Sequence, residues 1–227
     1  MTAREMQIEF DTRIQLAVPS TEVIIKPDST TIFMFLNEAQ DKFIKARYTG
    51  YNADNVSFEQ NQKSTDELKT IVKSANISTI AGTSLNKPNS YTASLPADYK
   101  YLLSDEVIFT ADDFSGTPFE QRAGITDCTY DTYRSHIEDP YSEHRYHYET
   151  AKPLRLISEN KVELVTDGNY TINVYYITYL KEPLEISLGV DGNDCELPED
   201  VHQDIVALAV NLYLANISSQ INNTYQS

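Results

Sequence analysis

The sequence predicts an α+β protein in which a helical base, made of N-terminal helices and one long C-terminal helix, carries an inserted antiparallel β domain. Three observations carry this. Capping residues followed by apolar rows at helical spacing gather before about Asn76 and again after Cys195. Between them, alternating residues and turn sequences mark strands, most clearly over 152–180. Helices and strands are segregated rather than alternating, which argues against a parallel α/β sheet. The expected boundaries are 1–80 plus 195–227 for the base and 81–194 for the insertion.

The first helix starts at a capping box, Thr2-Ala-Arg-Glu5, and carries Met6, Phe10, Ile14 and Ala17 on one face before Pro19 stops it. Asp28-Ser-Thr-Thr31 opens the second, which ends near Gly50. Its core row is Ile32, Leu36, Ala39, Phe43 and Ala46. Phe33, Phe35 and Ile44 widen the apolar arc, and Asn37, Gln40 and Asp41 form the polar side. A polar link, Tyr51 to Lys63, precedes a second capping box, Ser64-Thr-Asp-Glu67. Leu68, Ile71, Val72 and Ala75 then read as a short helix.

From about Asn76 strands are expected: Ile77 to Ile80, then Ser90 onward with a break at Leu95-Pro96 and a turn at Ser104-Asp105. Residues 112–134 have no clear period. Pro153–Ser158, Lys161–Thr166 and Tyr170–Leu180 predict a three-stranded meander, with Asp167-Gly168-Asn169 as its strongest hairpin signal. In the last strand Tyr170, Ile172, Val174, Tyr176 and Leu180 point one way. Leu184 to Val190 adds a short strand.

The last helix, Cys195 to Ile217, opens on Leu-Pro-Glu-Asp, with Pro198 in the first turn and Glu199, Asp200 and Asp204 at the positive end of the dipole. It carries two apolar rows: Val201, Ile205, Leu208, Ala209 and Leu212, then Val206, Val210, Tyr213 and Ile217. Asp204, Ala207, Asn211, Ala215 and Ser218 run between them. One stripe suffices for a two-layer domain. The second marks either a central helix of an intramolecular bundle or a helix at a subunit interface.

Of 227 residues, 34 are acidic and 18 are Lys or Arg, a net charge of −16. Such a chain is unsuited to gripping nucleic acid or an anionic membrane surface. Twelve of the acids, against four Lys or Arg, fall within 98–149. Two distant cysteines, Cys128 and Cys195, form no disulfide framework and fit a reducing compartment. Charged residues interrupt the opening stretch, so no secretory signal is expected, and no apolar run reaches membrane-spanning length.

Gly-rich phosphate loops, nucleophile elbows and His-Glu-x-x-His are absent. No catalytic residue and no cofactor is assigned. A weak metal candidate is His136, His144 and His147 with Glu138, Asp139 and Glu143, which would suit a metal-dependent hydrolase. Tyr130, Tyr133, Tyr141, Tyr146 and Tyr148 stand among acids, where tyrosine serves an interface, fills a locally packed loop, or stacks on sugars. The interface candidates are therefore Phe33, Phe35, Ile44, Val206, Val210, Tyr213, Ile217, Tyr133 and Tyr146.

Three stretches bear a family likeness: Phe35-Leu-Asn-Glu-Ala-Gln-Asp-Lys-Phe-Ile44 ending in Ala-Arg-Tyr-Thr-Gly, Leu95-Pro-Ala-Asp-Tyr-Lys-Tyr-Leu102, and Leu197-Pro-Glu-Asp-Val-His-Gln-Asp-Ile-Val206. With their order, the chain resembles the head–tail connector or ring (adaptor) proteins of podovirus-like tailed phages, above all the crAss-like phages. The resemblance implies a structural virion protein, not an enzyme, assembled in the host cytoplasm. It implies a homo-oligomeric ring, twelve-fold in that family, that joins the portal protein to neighbouring tail ring proteins. DNA would pass through its channel without specific binding, and no membrane is involved. The rival reading is a carbohydrate-binding module of a secreted or tail-fibre protein, using the Tyr-rich β surface.

Overall fold

The structure, a computed structural model, describes residues 1–17, 27–50, 62–82, 87–190 and 192–224. The expected stop at Pro19 and the link as far as residue 61 lie outside the described residues. The fold is α+β, with N-terminal helices and a long C-terminal helix flanking a β region. The chain forms two compact units, a helical one of Met1–Ile71 with Pro183–Ser227 and a β-rich one of Val72–Glu182.

In the helical unit, α1 spans Ala3–Ala17, α2 Ser29–Thr49, α3 Gln62–Leu68 and α5 His202–Thr224. The local starts are chemical. The Thr2 N–H donates to the Glu5 carboxylate at 2.7 Å, and the Glu5 N–H donates to the Thr2 hydroxyl at 3.3 Å, closing a capping box. The Asp28 carboxylate accepts the Thr31 N–H at 2.8 Å. Gly50 ends α2 at φ 78°, the left-handed conformation that suits glycine. The second expected capping box is not one: α3 begins at Gln62, and buried Glu67 pairs instead with Arg47 of α2 at 2.6 Å. Met6, Phe10 and Ile14 are buried on α1, whereas Ala17 is exposed.

The stretch expected to continue helically through Ala75 breaks after a 3-10 turn at Lys69–Ile71. Strand β1, Val72–Ser78, follows. Its residues pair with a long strand, so tertiary hydrogen bonding overrides the helical spacing.

The β unit contains β1, β2 (Ile80–Ala81), β3 (Ser90–Ser94), β4 (Tyr99–Asp112), β5 (Pro118–Gly124), β6 (Thr126–Asp127), α4 (Tyr133–Glu138), β7 (Leu154–Ser158), β8 (Lys161–Val165) and β9 (Thr171–Lys181). One sheet has the order β1-β9-β4-β5, the other β2-β3-β8-β7-β6. All pairs are antiparallel except β6 with β7. The sheets share a core in which Val107, Phe109, Tyr175 and Ile177 of the first meet Ala93, Val162 and Leu164 of the second. The other side of β7 and β8 carries Leu154, Leu156 and Val165, which pack with Cys128 and with Tyr133 and Ile137 of α4.

Three strand expectations are corrected. No turn occurs at Ser104-Asp105: β4 runs on through register shifts, because Asp105 turns its carboxylate to Arg155 and Tyr175. Asp167-Gly168-Asn169 does not close a meander; it carries the chain from β8 in one sheet to β9 in the other. The alternation of β9 also changes phase. Ile108 is opposite Val174 and Phe109 opposite Ile172, so Asn173 is an extra, bulged residue. Beyond it the buried set is Tyr175, Ile177 and Tyr179, while Val174 and Tyr176 are half-buried.

The segment expected as a strand at Leu184–Val190 joins neither sheet. It is extended and is held in the helical unit by the polar side of α2. Asn37 bonds to Ile186, and Gln40 donates to the Leu184 carbonyl at 3.2 Å. It ends in a tight loop where a Cβ on Gly192 would meet the Ser187 carbonyl oxygen at 2.5 Å.

Candidate functional site

The helical interface candidates are largely spent inside one copy. Helix α5 packs on both α1 and α2. The Tyr213 ring lies 5.8 Å from that of Phe10 and 5.5 Å from that of Phe35, centroid to centroid. Phe33, Phe35, Ile44, Val206, Val210 and Tyr213 are all buried; Ile217 is half-buried. Of the two readings of the double stripe, these contacts are those of the central helix. What α5 turns outward is the intervening row: Asp204, Asn211, Ala215 and Ser218 are exposed and Ala207 is half-buried.

Charge distinguishes the sequence that leads into α5 and forms it. Residues 183–227 carry seven carboxylates, Glu185, Asp191, Asp194, Glu196, Glu199, Asp200 and Asp204, and no Lys or Arg.

In the β unit the Tyr-rich segment is built into the fold. The Arg145 guanidinium donates to the carbonyls of Ile137 (2.9 Å) and Asp139 (3.1 Å). The Tyr170 hydroxyl donates to the His144 carbonyl at 3.0 Å. Tyr146 takes a backbone bond from its N–H to Asp167 (3.0 Å), and its hydroxyl donates to the Asp112 carbonyl at 2.8 Å. Partial burial, then the carboxylates of Glu149, Asp113 and Asp112, push the Tyr146 phenol up. Tyr133 is half-buried on α4, with the Lys87 ammonium 4.0 Å from its ring centroid.

The three candidate metal ligands do not converge. His144 is buried with Nδ1 2.8 Å from the Ser142 hydroxyl; His136 sits on α4; His147 begins an exposed turn. Among the described residues no group of three His, Cys, Asp or Glu is placed to hold a metal ion. Cys128 and Cys195 are buried free thiols, and burial pushes both up.

Sequence reasoning did not single out Phe114, and it named Tyr148 only as one of the five tyrosines of the acidic segment. Phe114 rides the β4–β5 turn, where the Asp113 carboxylate accepts the N–H groups of Ser115 and Thr117, each at 2.8 Å. Tyr148 and Glu149 form a two-residue turn closed by His147 and Thr150, with reciprocal N–H to carbonyl bonds of 3.0 and 2.9 Å. Both have positive φ, 50° and 63°, at positions that usually take Asn-Gly. Phe114 and Tyr148 are 81% and 85% exposed, and their ring centroids lie 6.4 Å apart with the planes tilted by 57°. A bulky residue between Asp and Ser-Gly was the available signal for Phe114. Nothing in Tyr148-Glu149 announces a turn of this type.

One polar cluster is structural. Arg155 bridges Asp105 (2.5 Å) and Asp127 (2.9 Å), and the Tyr175 hydroxyl donates to Asp105 at 3.0 Å. Burial, the largest single effect, pulls the Arg155 guanidinium down, but the charge and hydrogen bond of Asp105 together with the Asp127 charge outweigh it and the group ends raised; burial and the Asp105 carboxylate drive the Tyr175 phenol far up.

A two-unit α+β chain with an anionic surface and exposed aromatics is suited to forming contacts, and comparison with known proteins gives those contacts a setting. A family model described as phage tail ring protein 3/4 matches residues 1–226, which makes this a structural component of a phage tail and so of the virion. The chain belongs to that tail ring protein 3/4 family of crAss-like phages. No curated protein matches the chain. No described helix is long and apolar enough to cross a membrane.

Proposed function

We propose that this chain assembles into a closed homo-oligomeric ring that joins the portal protein to neighbouring tail rings and surrounds the channel through which the genome leaves. Its role is non-catalytic, and it assembles in the host cytoplasm. The observation that carries the channel is charge: the 183–227 segment has seven acids and no Lys or Arg. A lining of this sign repels phosphates, so DNA slides past without the cation contacts that would hold it. Ring contacts then fall on residues left outside the monomer, including the outward row of α5, because the greasier rows are already covered. The twelve-fold count expected from the resemblance remains part of this proposal.

The test is native mass measurement and electron microscopy of the chain alone and with portal and adjacent tail proteins. A discrete ring with the acidic segment towards its hole is the expected result. A chain that stays monomeric with all those partners present overturns the proposal. For the carbohydrate reading, Lys87 covers the Tyr133 ring and the Tyr146 hydroxyl is bonded to the Asp112 carbonyl, which leaves exposed tyrosines such as Tyr141 and Tyr148 to carry it.

A further inference from the structure

We infer that Phe114 and Tyr148 form a preformed docking knob for a cationic segment, bearing Arg or Lys, of a neighbouring tail protein. The inference rests on the reading that this ring has protein neighbours in the tail, but concerns a different surface from the channel.

Two separate loops bring the rings together. One is the β4–β5 turn, fixed by the Asp113 carboxylate and by Gly116 at φ 77°. The other is the His147–Thr150 turn, anchored beside Asp112 by the Tyr146 hydroxyl. Neither ring buries itself, although each is large and apolar enough to gain by doing so. Tyr148 and Glu149 also hold a conformation that costs free energy for residues with a Cβ. Such strain persists only where the surroundings impose it, and it is concentrated at functional positions.

The charge around the knob selects the occupant. Asp112, Asp113 and Glu149 are carboxylates whose charges act on the nearby Tyr146 phenol. The turn bonds from Thr117 and Ser115 hold the Asp113 carboxyl below its ordinary value, so it stays charged. Asp113 adjoins Phe114 and Glu149 adjoins Tyr148 in the chain; exposed aromatic faces with carboxylates beside them suit a guanidinium or ammonium, which stacks on the ring and pairs with the acids. They repel an anionic partner. Exposed aromatics at the centre of a contact, with a charged rim, have the composition of an interface hot spot.

The test probes purified full-length chain with overlapping synthetic peptides covering the portal and neighbouring tail proteins, and in parallel with a glycan array. Arg- or Lys-bearing peptides are expected to be retained, with binding that falls as salt rises. Phe114→Ala and Tyr148→Ala should each weaken the best peptide by about tenfold or more in fluorescence anisotropy. Tyr141→Ala, which removes another exposed ring, should leave it unchanged. Tyr148→Gly separates folding from binding: it should unfold at a higher denaturant concentration while binding less. The inference is overturned if basic peptides bind no better than neutral ones, or if glycans are bound instead. It is equally overturned if the variants bind like the parent, or if Phe114→Ala changes the native mass of the chain alone, which would make a second copy the occupant. Ring formation with the portal is followed separately, so a ring that forms without peptide binding sinks this inference and leaves the channel reading standing.

Discussion

The side-chain amide of Asn37 makes both backbone hydrogen bonds of Ile186. Its Oδ1 accepts the Ile186 N–H at 2.8 Å, and its Nδ2 donates to the Ile186 carbonyl at 3.2 Å. A helix side chain thus stands where a neighbouring strand would, and the fully buried Ile186 is held without a sheet.

Removing that amide should be expensive for its size. Asn37→Ala leaves a donor and an acceptor without their partner and is expected to cost about 2 kcal/mol. Asn37→Asp keeps the acceptor and should cost less. Denaturant midpoints of the two variants check the order.

Truncating the centre of the helical unit should destabilise the isolated chain. Tyr213→Ala is expected to cost about 3–5 kcal/mol, since the ring packs on Phe10 and Phe35. The measurement is unfolding at a dilution where the chain is monomeric. An unchanged midpoint there would mean that Tyr213 works between copies after all.

Breaking the Arg155 cluster should hurt more than neutralising it. Arg155→Met strands the Asp105 carboxylate, only 10% exposed, and should cost about 3–5 kcal/mol. Adding Asp105→Asn to that variant removes the stranded charge and should recover part of the loss. A double-mutant cycle on urea unfolding reads the difference.

Acidification should loosen the loop around His144. Burial, then the Arg145 charge, pulls the imidazole below its ordinary value of 6.5, while the Asp167 charge opposes this. The folded state therefore binds this proton less readily than the unfolded chain. Its neutral form contributes full stability above the unfolded value near 6.5, and that stability is lost as pH falls through 6.5 towards the folded value. His144→Asn should flatten this limb of a stability-versus-pH curve. An unaltered limb would assign it to other groups.

Single-residue chemistry was the legible part of the fold. Thr2 with Glu5, Asp28 with Thr31, and Gly50 at its left-handed φ each act within one turn of chain, so the sequence suffices to place them. The double stripe on α5 was legible as well, but its meaning was not: an apolar row looks the same whether Phe10 and Phe35 or another subunit will cover it. Likewise Ser104-Asp105 has turn composition, and only the distant Arg155 explains why the strand continues. The candidate site was half legible. The acidic tyrosine segment stood out, yet the rings that end exposed together, Phe114 and Tyr148, come from different loops.

By itself the amino-acid order determined where helices begin, that strands lie between them, and that the surface is strongly anionic, because capping, periodicity and charge are local or additive. The tertiary structure alone decided that β8 and β9 part into two sheets, that Asn173 bulges and reverses the faces of β9, and which aromatics stay in water. Those outcomes depend on pairing between residues far apart in the chain. There a one-residue change of register exchanges inside for outside without altering a letter of the local pattern.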